Sequence, residues 1–369
     1  MDDNRLRDLR NKLKTGMFNI LIAGCSGSGK STLVNEIFEG DFATTGLGEP
    51  VTMETRKYTK KGVPLAIYDT RGLELKKCDE IIKQLLTFVE DIQKQERKEQ
   101  HIHVAWLCIA EDKARVEEAE KELASGLAQG KPKIPVIAVI TKARSANQEF
   151  RSEVQRLLPE TTQVVRVRAI EEHIDGGYVL PPMGLENLVE ATAQVLEGGE
   201  ILRTFAMVQR SRRLKEQEAK KAVMAAVVSA GGAGAIPIPL ASEGLLVPIQ
   251  VMMLVHISRI FGVNETSAEF WRNLTAGLVA SLAGGTMVIV GLGNLLKFIP
   301  GVGTLLGGAI LSSSCSFLTH QLGKWYIDFL LNQFDSSGGG VPSLEAIKQG
   351  FKEFSEIQKR NFKVVETKT

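Results

Sequence analysis

Cysteine and histidine, the residues that most often form disulfides or bind metals, are scarce in this sequence. Four cysteines and five histidines occur among 369 residues, and none of them is spaced like a metal-binding pair. This scarcity excludes a disulfide framework and argues against a zinc site. It favours free thiols in a reducing compartment.

An excess of charge of one sign is also lacking, because 45 Lys and Arg residues are balanced by 43 Asp and Glu residues. A nearly neutral chain has no general attraction to nucleic acid, so we expect no nucleic-acid partner. No apolar segment follows the charged start of the sequence, which argues against a secretory signal and for a cytoplasmic location. Residues 1–16 alternate leucine with Arg and Lys, a pattern that predicts a short basic helix.

The most informative segment is Gly24–Ser31, which has the pattern G-x-x-x-x-G-K-S. It follows the apolar run Phe18–Ala23, which predicts a buried strand, and it precedes a helical pattern. Backbone N–H groups of such a loop surround phosphate oxygens at a helix N-terminus. Lys30 is expected to reach the β- and γ-phosphates, and the Ser31 hydroxyl to ligate Mg²⁺. The predicted nucleotide contacts in this segment are Gly24, Ser26, Gly27, Ser28, Gly29, Lys30, Ser31 and Thr32.

A second motif, Asp69-Thr70-Arg71-Gly72, follows the next predicted strand. Asp69 is expected to hold a magnesium-bound water. The Gly72 N–H is expected to sense the γ-phosphate, because only glycine lets the backbone approach so closely. In the preceding loop, Thr52 is chosen to complete the Mg²⁺ shell. The alternatives to it are Thr44, Thr45 and Thr55. The predicted metal ligands are Ser31, Thr52 and Asp69, and the predicted catalytic residues are Lys30, Thr52 and Gly72.

Contacts to the base and ribose are expected after two later strands. Thr141 and Lys142 follow the apolar run Ile134–Ile140, and the lysine stem is expected to pack along the base and the ribose. Arg168 and Ala169 follow the next apolar run and complete this predicted group.

Between residues 17 and 200, apolar runs alternate with amphipathic helical patterns. This alternation predicts an α/β domain with a mostly parallel sheet and helices on both faces. Thr52–Lys60 and Pro64–Tyr68, separated by a Lys61-Gly62 turn, predict instead an antiparallel hairpin that adds one antiparallel edge strand.

From residue 201 to 335 the sequence becomes apolar and rich in glycine. Two proline turns, about sixty residues apart, predict two helical hairpins and hence an all-α apolar domain. Leu274–Leu296 has no charged side chain, so three interpretations stay open: a self-contained helical bundle, conditional membrane insertion, or permanent spanning. The basic run at 203–221 fits either an anionic membrane surface or a solvated helix face. Residues 336–369 predict a linker and a C-terminal amphipathic helix.

The order of these motifs over residues 17–200 resembles the translation-factor-related GTPases, particularly the Era-like branch and the immunity-related and dynamin-like relatives. The resemblance implies a P-loop G domain that hydrolyses GTP to GDP with Mg²⁺ and acts as a nucleotide-dependent switch. The C-terminal half looks like a helical domain of unknown function that follows such a GTPase in a bacterial subgroup. The implied partners are GTP, a second copy of the chain bound through the nucleotide face, and a membrane surface reached from the cytosolic side.

Two positions depart from the family pattern. Arg144 stands where such GTPases place the aspartate that accepts two guanine N–H groups, and a guanidinium accepts nothing. Leu73 stands where many of them have the glutamine that orients the attacking water, so intrinsic hydrolysis should be slow. Two alternatives therefore stay open: a dynamin-like membrane-remodelling or scaffold GTPase that assembles as a dimer or oligomer, and an ATPase with the same fold.

Overall fold

The computed structural model describes fourteen segments of the chain, which are residues 16–38, 49–52, 55–70, 78–97, 100–131, 133–144, 148–174, 176–196, 199–234, 241–263, 267, 270–271, 303–350 and 353. The chain forms two compact units that divide between Ser211 and Arg212. The predicted basic helix at 1–16 lies almost entirely outside the described residues. The predicted domain boundaries at 16, 200 and 335 stay predictions.

The first unit contains nine described strands. They are β1 (Phe18–Ala23), β2 (Glu49–Pro50), β3 (Thr55–Lys60), β4 (Val63–Thr70), β5 (Val104–Ala110), β6 (Val136–Thr141), β7 (Gln163–Arg166), β8 (Glu172–Ile174) and β9 (Tyr178–Leu180). Seven of them form one sheet in the order β2-β3-β4-β1-β5-β6-β7. The pairs β1–β4, β1–β5, β5–β6 and β6–β7 are parallel, whereas β3 runs antiparallel to β4. The predicted G-domain fold, with its mostly parallel sheet and antiparallel edge, is confirmed.

Six helices of the described chain accompany this sheet. They are α1 (Lys30–Ile37), α2 (Cys78–Gln93), α3 (Glu118–Gln129), α4 (Gln148–Leu157), α5 (Leu185–Val195) and α6 (Gly199–Val208). Every residue of β1, β5 and β6 is buried, as expected for parallel strands covered on both faces.

An aromatic cluster occupies one face of the sheet. The ring centroids of Phe18 and Phe205 are 4.9 Å apart, and those of Phe38 and Trp106 are 5.6 Å apart. The Trp106 indole N–H donates to the Thr192 hydroxyl at 3.0 Å, which satisfies its buried donor. The cluster therefore anchors α5 and α6 to the sheet.

The second unit is helical in its described part. Its long helices are α7 (Arg212–Gly234), α8 (Ala241–Ile260) and α9 (Gly303–Ser336), and residues 344–350 are also helical. Its core includes Leu254, Ile257, Tyr326 and Leu330, all of them fully buried. None of the helices in the described residues is both long and apolar enough to cross a bilayer. Leu274–Leu296, on which the three interpretations of this region depend, lies outside the described residues.

Candidate nucleotide-binding site

The phosphate loop joins the carboxyl end of β1 to the start of α1. Gly24 has a φ of +145°, and a Cβ placed there would lie 2.3 Å from the backbone oxygen of Cys108 in β5. Only glycine can occupy this position without a clash, because the loop passes directly over the neighbouring strand. The Ser28 N–H then donates to the Cys25 carbonyl at 3.2 Å and closes the turn.

Lys30, the first residue of α1, points back into this loop. Its Nζ donates to the carbonyl oxygens of Gly24 at 2.8 Å and Cys25 at 3.0 Å, and the residue is buried. Ser31 and Thr32 follow in the first turn of the helix and are exposed. The structure thus gathers a lysine ammonium, two hydroxyls and a helix N-terminus at one end of the sheet, a combination that attracts anions.

Asp69 lies beside the phosphate loop at the end of β4. It pairs in the parallel register with Ile22, two residues before Gly24. Burial raises the pKa of the Cys108 thiol to about 12, while Lys30 lowers that pKa and Asp69 raises it. The Lys30 Nζ, bonded to the Gly24 carbonyl, and Asp69, paired with Ile22, lie at the same end of β1. A carboxylate and the Ser31 hydroxyl supply the hard oxygen ligands that Mg²⁺ prefers, so these residues fit a magnesium ion.

The other predicted phosphate-side residues are only partly described. The Thr52 hydroxyl accepts a hydrogen bond from the Thr55 N–H at 3.0 Å and stabilises the turn that leads into β3. Gly72 lies outside the described residues, as do the alternative threonines Thr44 and Thr45 and the water-orienting position Leu73. The roles predicted for them stay predictions.

The predicted base-side residues line a single cavity of about 320 Å³. Its wall includes Gly29 of the phosphate loop and Thr32 of α1 together with Thr141, Lys142, Arg168 and Ala169. The Thr141 hydroxyl donates to the Ser28 carbonyl at 2.6 Å and so ties the end of β6 to the phosphate loop. A larger cavity of about 510 Å³ between α4, β7 and α5 contains none of the predicted site residues, so volume alone does not choose the site.

Three carboxylates that the sequence analysis missed also line the smaller cavity. Asp112 bonds the Lys142 ammonium at 3.1 Å, Glu172 bonds the Arg144 guanidinium at 2.7 Å, and Glu171 is the third. Asp112 follows the carboxyl end of β5, a position that could have marked it as a candidate. Nothing in the local pattern around Glu171 and Glu172 indicated their place in the cavity.

Arg168 lines the cavity and also holds two neighbouring loops. Its guanidinium donates to the carbonyls of Ala143 at 2.6 Å and Pro181 at 2.7 Å, and the residue is buried. The side chain therefore braces the two loops that form the cavity wall.

Part of the first unit matches a known protein family. Residues 19–142 match the model of a family described as 50S ribosome-binding GTPase. Magnetosome membrane protein 22 of Magnetospirillum gryphiswaldense is 31% identical over 127 residues, which are 32% of this chain and 58% of that protein. The chain thus spans less than two thirds of the curated relative that it matches.

Two solved structures are similar to parts of the chain. A probable GTP-binding protein engB is 20% identical, with a TM-score of 0.33, and the match covers 48% of this chain and 97% of that one. The Encephalitozoon cuniculi ADP-ribosylation-factor-like protein, the small COPII coat GTPase SAR1, is 13% identical with a TM-score of 0.31 over 55% and 82% of the two chains. The family match over residues 19–142 and the sheet order lead to one conclusion: the first unit of this chain has the P-loop G-domain fold, and its sequence resembles GTPases.

Proposed function

We propose that this protein binds GTP with Mg²⁺, hydrolyses it slowly to GDP and phosphate, and acts as a nucleotide-dependent switch. One observation carries the proposal. The phosphate loop, Asp69 and the base-side residues lie at the carboxyl ends of parallel strands of one sheet, where α/β sheets bind their ligands. The cavity between them joins the loop to the base-side residues.

The reaction requires charge stabilisation more than covalent chemistry. A water oxygen forms a bond to the γ-phosphorus, the bond from that phosphorus to the β–γ bridging oxygen breaks, and the proton of the water ends on the released phosphate. The Lys30 ammonium and the N–H groups at the start of α1 stabilise the negative charge on the phosphate oxygens. Mg²⁺, held by Ser31, Asp69 and Thr52, would neutralise further charge on the β- and γ-phosphates.

Slow turnover follows from the sequence at position 73. The leucine there has no polar atom with which to orient a water molecule, so acceleration requires a group from a partner or from a second copy of the chain. Loss of the γ-phosphate is expected to release the loops around Thr52 and Gly72, which changes what the protein can bind.

A membrane-associated role is the second candidate. It is supported by the printed name of the 31%-identical relative, a magnetosome membrane protein, and by the basic run at 203–221. In this version, assembly on a lipid surface supplies the missing acceleration.

The test uses the purified full chain and calorimetric titration with GDP, a non-hydrolysable GTP analogue and ATP, each with Mg²⁺. Lys30→Ala should weaken binding of the guanine nucleotides at least about 100-fold, because two or more charge-assisted hydrogen bonds are lost. Lys133→Ala is the matched control, because this exposed lysine precedes β6, at the end of the parallel strands opposite the phosphate loop.

Phosphate release and limited proteolysis complete the experiment. Slow release that is independent of protein concentration supports the switch, whereas release that rises with concentration or with anionic liposomes supports the membrane-associated version. The switch also requires cleavage near Thr52 or Gly72 to differ between the diphosphate and triphosphate states. Absence of binding by the folded chain to any of the nucleotides contradicts the whole proposal.

A further inference from the structure

The base-side cavity raises a chemical question that the motif leaves open. Guanine presents two neighbouring donors, N1–H and the 2-amino group, which need an acceptor in the protein. Arg144, at the position where related GTPases have an aspartate, carries only donors. The acceptor must therefore come from another part of the chain.

Glu172 meets this requirement best. It lies in β8 and lines the same cavity as Lys142 and Arg144. The Arg144 Nε donates to the Glu172 Oε1 at 2.7 Å, and its Nη2 contacts the same oxygen. Since a carboxylate can accept about four hydrogen bonds, Glu172 can still accept N–H groups from a ligand.

The ion pair with Arg144 also favours the ionised form of Glu172, which accepts hydrogen bonds and donates none. The hydrogen bond from Arg144 lowers the pKa of the Glu172 carboxyl below its ordinary value, although burial acts in the opposite direction. At neutral pH the side chain is therefore an acceptor only.

Two other carboxylates line the cavity, and exposure separates them from Glu172. The side chain of Glu172 is 26% exposed, against 43% for Asp112 and 65% for Glu171. Asp112 is paired with the Lys142 ammonium, and Glu171 lies 3.5 Å from His173. The least solvated carboxylate discriminates most between ligands, because water competes least for its lone pairs.

We propose that Glu172 accepts the N1–H and 2-amino hydrogens of guanine, and that Arg144 is a positioning residue that holds its carboxylate. This inference rests on the proposed function, since it requires a nucleotide whose base occupies the cavity. The carboxylate matches guanine, whose N1–H and 2-amino group are neighbouring donors. Adenine has an acceptor at N1 and only a C–H at position 2, so neither of these two contacts would form.

The test measures the affinities of the full chain for GDP, xanthosine diphosphate and ADP. Wild type should bind GDP most tightly. Glu172→Gln should weaken GDP about 10- to 100-fold, because one acceptor becomes a donor that faces the 2-amino group. The same variant should bind xanthosine diphosphate more tightly than wild type does, since the amide N–H can donate to the 2-oxo group of xanthine. A misfolded variant would lose affinity for both GDP and xanthosine diphosphate. A gain in affinity for xanthosine diphosphate therefore shows that residue 172 recognises the base.

Comparison variants decide between this proposal and its rivals. Glu153→Gln on the exposed face of α4 is the charge-matched control. Arg144→Met should weaken GDP about tenfold, because the carboxylate loses its anchor. The inference is overturned if Glu172→Gln leaves the ratio of the GDP and xanthosine diphosphate affinities unchanged while Asp112→Asn or Glu171→Gln alters it. Failure of wild type to bind any diphosphate would instead contradict the proposed function, so the two failures can be told apart.

Discussion

Replacement of Gly24 by alanine tests the geometry on which the phosphate loop depends. The new Cβ would lie 2.3 Å from the Cys108 backbone oxygen, far inside van der Waals contact, and the residue would have to keep a φ of +145°. The strained backbone costs about 1–3 kcal/mol. Displacement of the packed strand costs about 1–3 kcal/mol more. The unfolded alanine variant has a lower conformational entropy than the unfolded wild type, which offsets about 0.4–1 kcal/mol of this loss of stability. The net loss of unfolding free energy should be about 1–5.5 kcal/mol.

Gly27→Ala is the matched control. Gly27 belongs to the same loop and has a φ of +73°, but nothing lies within 4 Å of the position that a Cβ would take there. The left-handed backbone costs about 1–2 kcal/mol and the same entropic offset applies, so the loss should be at most about 1.5 kcal/mol. The difference between the two variants isolates the contact with Cys108.

Urea unfolding in the absence of nucleotide measures this difference. Trp106 reports on the first unit when Trp271 and Trp325 are replaced by phenylalanine, and omission of the ligand removes its stabilising effect. Equal destabilisation by Gly24→Ala and Gly27→Ala, within about 0.5 kcal/mol, would refute the close approach of the loop to β5.

Two further predictions concern buried polar groups. In the helical unit, the Tyr326 hydroxyl is buried 2.6 Å from the Ser258 hydroxyl, which itself donates to the Leu254 carbonyl at 2.7 Å. Ser258→Ala should therefore cost about 1–3 kcal/mol in urea unfolding and Tyr326→Phe less, since only the first removes a partner of a buried hydroxyl that stays in place; the reverse order would contradict this interpretation. In the first unit, the pKa of the Cys108 thiol is raised to about 12 by burial, so the folded state holds this proton more tightly than the unfolded state. Stability from this group is complete below about pH 8.5 and is lost as the pH rises toward 12, by about 1.4 kcal/mol per pH unit. Cys108→Ala should show a shallower decline between about pH 9 and pH 11, and parallel curves would rule out the shift.

The strand, loop and helix of the candidate phosphate-binding segment could be predicted because they are contiguous in sequence. The loop from Gly24 to Ser31 carries its own turn, its lysine and its helix start. The position of Asp69 could be predicted because β4 contains an apolar run that ends at this polar residue. The place of Asp69 beside β1 follows from the parallel pairing of the two strands. The strands β1, β5 and β6 could also be predicted, because parallel strands that are buried on both faces appear in the sequence as continuous apolar runs.

The hairpin of β8 and β9 escaped prediction for a physical reason. Each strand has three residues, and most of them are exposed, so they show no alternation of apolar and polar side chains. The hairpin is separated from the phosphate loop by more than a hundred residues, yet it contributes Glu172 to the cavity that begins at Gly29.

The sequence by itself determined the strand–loop–helix that can hold a phosphate chain and the mostly parallel sheet that carries it, because both depend on local pattern and on the pairing of apolar strands. Only the tertiary structure decided which charged side chains line the base-side cavity. The partners of Lys142 and Arg144 are carboxylates from two separate segments, Asp112 after β5 and Glu172 in β8. Ion pairs between distant segments leave no periodic trace in a sequence, since they are formed by the meeting of strand ends and not by the strands themselves.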